Sequence, residues 1–297
     1  MKVIVSGASG LIGTALVSAL RDEGCAVVRL VRRAPSAPEE ARWEPKTRSV
    51  DSAALEGADA VVHLAGAGVA DGLWTKAYKE ELRNSRILGT GTLADALAAL
   101  KSPPRVFVSG SAVGFYGDTA DRETTEEAPR GAGFLAQLSQ DWEAAAQPAA
   151  DAGIRVVHPR TGIVLTTKGG ILGKMLPAFK LGLGARFGNG RQWMSWISLR
   201  DEVAALRFLI DSDLAGPVNL TAPLPVTNAE LTRTVAKALH RPAPLAVPAA
   251  VLRLAPGGFG EEGALISQRI LPSRLLAAGF GFQDPALAPA LTHLLPA

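Results

Sequence analysis

The sequence predicts an α/β protein built on a doubly wound parallel sheet, with a smaller lobe formed by its C-terminal part. Three observations favour this fold class. A strand, a glycine-rich turn, a helix and a second strand follow one another in residues 1–33. Strand-like and helix-like segments then alternate as far as about residue 165, a pattern typical of parallel sheets. From Lys168 the composition changes to glycine-rich stretches that fit a separate lobe.

The first strand is a short apolar run, Val3 to Val5, of the kind that becomes buried. The turn GASGLIG (residues 7–13) follows it and leads into a helical pattern of apolar residues, which Gly24 ends. Residues 25–31 are predicted to form the second strand. This order is that of the Rossmann-type βαβ unit, which binds the pyrophosphate of a dinucleotide.

The three glycines of the turn have separate expected roles. Gly7 makes the tight turn, Gly10 lets the backbone approach the phosphates, and Gly13 lets the helix pack closely on the strand. The free N–H groups and positive dipole of the helix N-terminus favour phosphate at the same place. The residues of this turn predicted to contact the dinucleotide are Gly7, Ser9, Gly10, Leu11, Ile12 and Gly13.

The second strand ends in Arg32 and Arg33, before a proline-rich polar link at residues 34–40. A site for NAD usually has a carboxylate there, which binds the ribose 2′-hydroxyl. Arginine suits a 2′-phosphate instead, because a guanidinium makes paired hydrogen bonds to phosphate oxygens. The sequence therefore favours NADP(H) over NAD(H). The alternative is that both arginines are a solvated strand end.

Further strands are predicted at residues 59–65, 105–109 and 154–158, and helices at residues 74–100 and 134–150. Because ligands bind at the carboxyl ends of parallel strands, the turns that follow these strands should line one crevice. These turns lie at Gly7, Arg32, Leu64, Ser109 and Pro159.

The predicted domains follow from this alternation. A dinucleotide-binding domain covers residues 1–220 and is interrupted by a lobe segment at about residues 168–193. Residues 221–297 form the smaller C-terminal lobe. Its first helix is predicted at residues 227–239, where Thr227 and Glu230 have the spacing of a helix-capping pair.

Composition excludes several classes of protein. The 297 residues are 47% hydrophobic and 20% charged, as in an ordinary globular protein. The net charge is only +3 and basic residues form no run, so nucleic acid is not an expected partner. No apolar run approaches the roughly 18 residues that span a membrane, and the glycine turn interrupts any signal peptide. A single cysteine, Cys25, favours the reducing cytoplasm, and the four histidines lack metal-ligand spacing.

Eight motifs spread over nearly the whole chain carry a family resemblance. They are GASGLIG, WTKAYKEELRNSRILGT, SGSAVGFYGD, GFLAQLSQDWEAAA, HPRTGIVL, GNGRQWMSWISLRD, PVNLTAP and RILPSRLLAAGF. In them the sequence resembles the extended short-chain dehydrogenases/reductases, and more narrowly an atypical epimerase-like branch. That branch carries a small C-terminal domain of unknown function, here at about residues 248–297. The resemblance implies a Rossmann fold, NADP(H), a small-molecule substrate and a second lobe that closes over the nicotinamide, and it is compatible with a homodimer.

The sequence departs from this superfamily at the residues that do its chemistry. The superfamily uses a serine or threonine together with a Tyr-x-x-x-Lys pair. The two tyrosines here, Tyr78 and Tyr116, are followed four positions later by Leu82 and Ala120, so the pair is absent. Where the resemblance places it, the sequence is GFLAQL (residues 133–138).

Ser111 and Tyr116 are the candidate catalytic residues. Ser111 follows a strand and either orients a substrate oxygen or satisfies the backbone of its turn. Tyr116 is the only phenol expected near the crevice, and it is either a proton donor or a packed tyrosine with a solvated hydroxyl. Trp142 and Glu143 are interpreted as a packing residue and a surface carboxylate.

Other candidates for cofactor binding come at the ends of two strands. The resemblance implies that Leu64 and Ala65, with Gly66 in the following turn, lie against the adenosine half of the cofactor. The residues alone would make them ordinary core. Ser109 ends the next strand and is expected in the same crevice.

Three charged residues complete the predicted cofactor site. Glu81 and Arg86 lie five positions apart on the long helix, and the resemblance implies that both point towards the cofactor. The sequence alone would assign them to a solvated helix surface, because positions five apart do not share one face well. Arg160 follows a strand and either contacts cofactor or substrate or forms a salt bridge at the sheet edge.

Two functions remain open at this point. The first is an NADP(H)-dependent oxidoreductase or epimerase-like protein that acts on a small carbonyl or hydroxyl compound. The alternative is a non-catalytic NADP(H)-binding regulatory or sensor protein, which the missing Tyr-x-x-x-Lys pair favours.

Overall fold

The structure is a computed structural model that describes residues 1–295. Its strands are β1 (Lys2–Ser6), β2 (Ala26–Val31), β3 (Glu40–Glu44), β4 (Ser49–Val50), β5 (Ala60–His63), β6 (Val106–Ser109), β7 (Ser111–Ala112), β8 (Arg155–Thr161), β9 (Ile163–Leu165), β10 (Ala185–Phe187), β11 (Trp193–Met194), β12 (Trp196–Ser198), β13 (Gly216–Leu220), β14 (Val226–Thr227) and β15 (Leu245–Val247).

The helices are α1 (Leu11–Asp22), α2 (Ser52–Leu55), α3 (Lys76–Ala98), α4 (Phe134–Ala144), α5 (Gln147–Asp151), α6 (Gly170–Lys180), α7 (Leu199–Asp211), α8 (Asn228–Ala238), α9 (Ala249–Arg253), α10 (Ser273–Ala277) and α11 (Leu287–Leu294). Single 3-10 turns lie at Pro45–Thr47, Val113–Tyr116 and Pro256–Gly258, and a π-helical turn at Gly260–Leu265. Within residues 1–295, no helix has the length and apolar character needed to cross a membrane.

Seven strands form a parallel sheet in the order β13-β8-β6-β5-β1-β2-β3, which confirms the predicted fold class. The chain runs outwards from β1 in one direction through β2 and β3, and in the other through β5, β6, β8 and β13. The sheet is therefore doubly wound, with its switch point between β1 and β5. A ligand crevice is expected outside the carboxyl ends of the strands at such a point.

Both faces of β1 are buried, as its continuous apolar run predicts. Val3 and Val5 pack into a cluster with α1 and α7 on one face of the sheet. Ile4 packs into a second cluster with α3 on the opposite face. Helices on both faces explain why the strand contains no alternation of polar and apolar residues.

The structure corrects the sequence prediction for residues 40–50. They form β3 and β4 at one edge of the sheet, whereas the sequence predicts only a polar link as far as residue 40. The strand was missed because it begins with a buried carboxylate, Glu40. Its charge is compensated by Arg29 and Arg33, which the linear sequence does not pair.

The predicted helix over residues 134–150 is wrong in its continuity. The structure has two helices there, α4 and α5, with a break at residues 145–146. Pro148 in the first turn of α5 has no N–H to donate to a preceding carbonyl, so the chain starts a new helix.

The smaller lobe has an apolar core of its own. Helices α6, α8 and α11 contribute most of it, and its members include Leu172, Leu176, Phe179, Leu231, Val235 and Leu291. The predicted cap of α8 is present, because Thr227 Oγ1 accepts a hydrogen bond of 3.2 Å from the N–H of Glu230.

Glu202 is a fully buried carboxyl group in the first turn of α7. Thr161 donates a hydrogen bond of 2.8 Å to its Oε1, and its Oε2 has no partner among the described residues. Burial disfavours the charged form and raises the pKa of Glu202 to about 8. The group is therefore neutral at pH 7.

We expect Glu202 to make the protein less stable as the pH rises from about 4.5 to about 8. In that window the unfolded carboxyl releases its proton and the folded one keeps it, so the contribution present at low pH is lost. Glu202→Gln removes this dependence. It should match the wild type at pH 5 and exceed it by about 4 kcal/mol at pH 9 in urea unfolding.

The matched control for this comparison is Glu80→Gln, which changes an exposed carboxylate on α3 and should leave the pH profile unchanged. A wild-type free energy of unfolding that is flat between pH 5 and pH 8 would contradict a neutral buried Glu202.

Candidate dinucleotide and substrate site

The glycine turn between β1 and α1 is packed backbone against backbone. Gly7 has φ +71°, and the N–H of Gly10 donates a hydrogen bond of 2.9 Å to its carbonyl. A Cβ on Gly7 would lie 2.7 Å from the backbone N of Ala65, and one on Gly13 would lie 2.1 Å from the Gly7 carbonyl oxygen. These contacts leave no room for a side chain, so the glycine spacing is a steric requirement of this turn.

A cavity of about 680 Å³ opens from this turn along the strand ends. Its walls are the turn itself, the end of β2, the start of β3 with the following 3-10 turn, the loop after β5 and one face of α3. The predicted site residues in its lining are Gly7, Ser9, Gly10, Arg32, Arg33, Leu64, Ala65, Gly66 and Glu81. Those outside this lining are Leu11, Ile12, Gly13, Arg86, Ser109, Ser111, Tyr116 and Arg160.

At the far end of the cavity the two arginines differ in their surroundings. Arg33 donates hydrogen bonds of 2.8 and 2.6 Å to the two carboxylate oxygens of Glu40. These bonds, with one from the N–H of Ser36, lower the pKa of Glu40 to about 2. Arg32 forms no ion pair with any residue between 1 and 295. Of the two arginines, Arg32 is therefore the one whose guanidinium is not held by a carboxylate.

Sequence reasoning missed other residues that line the cavity. Trp43 and Lys46, from β3 and its 3-10 turn, are two of them. Asn84 and Ser85 line it from α3. The first pair was missed because residues 40–50 were not predicted to return to the sheet. The second pair required the angular position of each residue around α3.

A second group of polar side chains lies at the ends of β6 and β8. Ser111 donates a hydrogen bond of 2.6 Å to Glu143 Oε1. Arg160 binds both oxygens of the same carboxylate, with Nε and Nη2 each 2.8 Å away. The interpretation of Glu143 as a surface carboxylate is wrong, because its side chain is only 13% exposed. Arg160 makes its salt bridge to α4 and not to a sheet edge.

Tyr116 belongs to the same network but faces the protein interior. Its hydroxyl donates 2.7 Å to Asn219 Oδ1 and accepts 2.9 Å from Arg160 Nη1. Burial raises the pKa of Tyr116, although the nearby Arg160 acts in the opposite direction. The hydroxyl is thus fully engaged with protein groups and remains protonated at neutral pH.

The start of α4 is apolar where the resemblance places the Tyr-x-x-x-Lys pair. Phe134 and Leu138 pack there in a small hydrophobic cluster with Leu82 of α3. The C-terminal lobe supplies the cap of this helix: Glu262 accepts hydrogen bonds of 3.1 and 2.9 Å from the N–H groups of Phe134 and Leu135. No titratable side chain is contributed to the cleft by these α4 positions.

A smaller cavity of about 380 Å³ lies beside this cluster, between residues 70–74 and residues 255–259. Trp74 and Phe259 are in its wall, with their rings 5.4 Å apart and nearly edge to face. Most of its lining is apolar, and it joins the loop after β5 to the C-terminal lobe. It is suited to an apolar part of a ligand.

Helix α3 presents different residues to different parts of the site. Glu81, Ser85 and Leu88 face the large cavity at helical spacing. Arg86 is one position further round, on the face towards α4 and the ends of β5 and β6. The two residues predicted together from the resemblance thus lie on different faces of α3, and only Glu81 lines the large cavity.

A glycine-cradled turn, a cleft at the switch point of a parallel sheet and a basic strand end define a dinucleotide-binding Rossmann-type protein. The chain belongs to the NAD dependent epimerase/dehydratase family, whose sequence profile matches residues 3–220. Residues 247–294 match a domain of unknown function, DUF1731.

The chain is similar to several proteins over its whole length. Epimerase family protein Mb2239 of Mycobacterium bovis is 50% identical over 98% of this chain and 96% of its own. The crystal structure of human epimerase family protein SDR39U1 (isoform 2) with NADPH matches with TM-score 0.91 and 33% identity, over 99% of both chains. A nucleoside-diphosphate sugar epimerase from Corynebacterium glutamicum matches with TM-score 0.81 and 37% identity, over 99% of this chain and 58% of the other.

We expect Gly13→Ala to abolish dinucleotide binding. Its new Cβ would lie 2.1 Å from the Gly7 carbonyl oxygen, so the turn must move away from the helix N-terminus. Overpacking of this kind costs about 1–3 kcal/mol of stability, and nicotinamide fluorescence should show affinity reduced by more than about 100-fold. The control is Gly91→Ala in α3, where no atom lies within 4 Å of the new Cβ. Normal binding by Gly13→Ala would contradict the role of this turn.

Proposed function

We propose that the protein is an NADP(H)-dependent oxidoreductase or epimerase-like enzyme acting on a small carbonyl or hydroxyl compound. The observation that carries the proposal is the cleft itself: the glycine turn at one end of the cavity and the unpaired Arg32 at the other. Family membership and the NADPH-containing structure of human SDR39U1 support it.

The residues of the cleft fit NADP(H) in three places. The N–H groups at the start of α1, with Gly7, Ser9 and Gly10 and the flanking Leu11, Ile12 and Gly13, would bind the pyrophosphate. Arg32 would bind the 2′-phosphate. Arg33 would lie beside Arg32, held in place by its hydrogen bonds to Glu40. The backbone of residues 64–66 and the carboxylate of Glu81 would contact the adenosine half. The bound nicotinamide supplies hydride transfer.

We assign the transfer of the substrate's hydroxyl proton to Ser111 and Glu143. Ser111 Oγ can accept a hydrogen bond from a substrate hydroxyl while its own proton points to Glu143 Oε1, 2.6 Å away. In oxidation, the substrate proton moves to Ser111 and the serine proton to Glu143; reduction reverses both transfers. Arg160 fixes the carboxylate through two hydrogen bonds. Tyr116 acts by positioning Arg160 and is not assigned as the proton donor.

The second candidate is a non-catalytic NADP(H)-responsive regulatory protein. The apolar Phe134 and Leu138 at the start of α4 favour it, because they place no titratable group over the cleft. In that case the Ser111–Glu143–Arg160 network would stabilise the strand ends, and the lobe segment at about residues 168–193 would report occupancy to a partner.

We further propose that the protein binds a small-molecule substrate. The apolar cavity beside Trp74 suits the part of that substrate that does not react. The single cysteine, half-buried Cys25, suits the reducing cytoplasm. A homodimer stays a prediction, to be tested by light scattering.

We expect Arg32→Asp to weaken NADPH binding by roughly 100-fold, about 2.7 kcal/mol, and NADH binding by less than about 3-fold. The reason is that only NADPH carries the 2′-phosphate that the guanidinium would bind. Fluorescence titration with both cofactors measures the two affinities. Arg42→Asp makes the same charge change at an exposed position of β3 outside the cavity and serves as control. Equal losses for NADPH and NADH would refute the assignment.

We expect Ser111→Ala and Glu143→Gln each to lower turnover by about 10²–10⁴-fold, with NADPH affinity unchanged. Tyr116→Phe should lower it less, because only the support of Arg160 is lost. NADPH oxidation with a panel of carbonyl compounds provides the assay. If Ser111→Ala and Glu143→Gln both keep the turnover of the wild type, the assignment of proton transfer to these residues is contradicted. NADPH binding without turnover on the whole panel would favour the regulatory protein.

A further inference from the structure

Arg86 is a buried arginine in the middle of α3. Only 9% of the residue is exposed. Its guanidinium lies over the indole of Trp142, 5.0 Å from the ring centroid. The same group is close behind Gly66, where a Cβ would lie 3.4 Å from the Arg86 Cζ. Protein therefore surrounds the charge on two sides, with aromatic carbon on one and backbone on the other.

This guanidinium has almost no polar partner. Nη1 donates one hydrogen bond, 3.2 Å, to the carbonyl of Leu82, and no ion pair within residues 1–295 includes Arg86. Burial lowers its pKa to about 10. Arg160, by contrast, is paired with the Glu143 carboxylate, and Arg155 donates hydrogen bonds to three backbone carbonyls. A buried charge without a partner is costly, and such groups are concentrated at functional sites.

The two remaining nitrogens of Arg86 have no partner among residues 1–295. Nε and Nη2 make no hydrogen bond to any of these residues, and neither atom is fully shielded from solvent. Their donor capacity is therefore free. A guanidinium presents these N–H groups in a planar fork that matches an oxyanion.

The position of Arg86 places its guanidinium at the end of the cleft that contains Ser111 and Glu143. Its stacking partner Trp142 also lies against Gly110, where a Cβ would be 2.9 Å from the indole. Gly110 immediately precedes Ser111, and Trp142 immediately precedes Glu143. The large cavity that would hold the adenosine half is lined by the other face of α3, and Arg86 is not part of that lining.

We propose that Arg86 binds the carboxylate of the substrate, so that the substrate class is small oxo acids or hydroxy acids. The proposal rests on the proposed function and adds the charged group that the substrate carries. A bound carboxylate supplies the counter-charge that the folded protein lacks at this position. The same oxyanion chemistry could come from a phosphate of the cofactor, and the experiment separates the two sources.

The first measurement is the thermal stability of the ligand-free full-length protein. Arg86→Met keeps the length and apolar stem of the side chain and removes the charge. Replacing a buried unpaired charge by an apolar side chain is neutral or stabilising, so the Tm should stay the same or rise by about 2–4 °C. Arg83→Met on the exposed face of the same helix breaks only a surface pair with Asp141 and is the control. A marked fall in Tm for Arg86→Met would show a structural role and overturn the proposal.

The second measurement uses the protein saturated with NADPH and follows nicotinamide fluorescence on adding oxamate, acetoacetate or 2-oxoglutarate. Methyl acetoacetate is the neutral counterpart. Wild type and Arg83→Met should bind at least one of the acids, the ester should bind weakly, and Arg86→Met should lose acid affinity by about 30-fold or more. The NADPH affinity of Arg86→Met should stay within about 3-fold of wild type.

Three results of this binding measurement would overturn the proposal in different ways. Loss of NADPH affinity in Arg86→Met would assign the guanidinium to the cofactor. If Arg86→Met still binds the acids, the substrate carboxylate must bind elsewhere in the protein. Normal NADPH binding with no response to any acid in the wild type would refute the substrate class while the NADP(H) proposal stands. Absence of NADPH binding would refute the proposed function itself.

Discussion

The close backbone approach at the end of β1 is the constraint on which the cleft depends. The turn at Gly7 contacts both the start of α1, at Gly13, and the end of β5, at Ala65. These contacts bring the positive end of a helix and the switch point of the sheet to the same place. The turn lines the large cavity, and the loop after β5, which leads to α3, lies directly against it. A side chain at Gly7 or Gly13 would separate elements that the rest of the site requires to be adjacent.

Several buried charged groups are stabilised in different ways. Glu40 is paired with Arg33, and Glu143 with Arg160, so these groups are fixed and neutralised in pairs. Glu202 avoids the cost of burial by remaining protonated. Arg86 does neither. Within residues 1–295, Arg86 is therefore a buried positive charge without a counter-charge. This buried charge makes the folded protein less stable than it would be with a well-packed apolar side chain at position 86.

The sequence was sufficient for the features that depend on local pattern. The apolar run of β1, the glycine spacing and the alternation of strands and helices predict the sheet, because each is set by neighbours in the chain. Pairings between distant residues were not visible. The sequence does not reveal β3, because the charge of Glu40 is compensated by Arg29 and Arg33, in and just after β2. It does not reveal the burial of Glu143 either, because nothing in its helix indicates Arg160. The separation of Glu81 from Arg86 required the exact orientation of α3.

The cap of α4 has a consequence for how the chain acquires its site. The helix that carries Glu143 begins at Phe134, yet its first N–H groups are satisfied by Glu262, which lies more than a hundred residues later. During synthesis the strands and the glycine turn emerge from the ribosome well before this carboxylate. Leu275, from the same late part of the chain, is fully buried in the core that holds Val3 and Val5. Both the core under the glycine turn and the cap of α4 are therefore completed only when the C-terminal residues arrive, so a prematurely terminated chain would lack both.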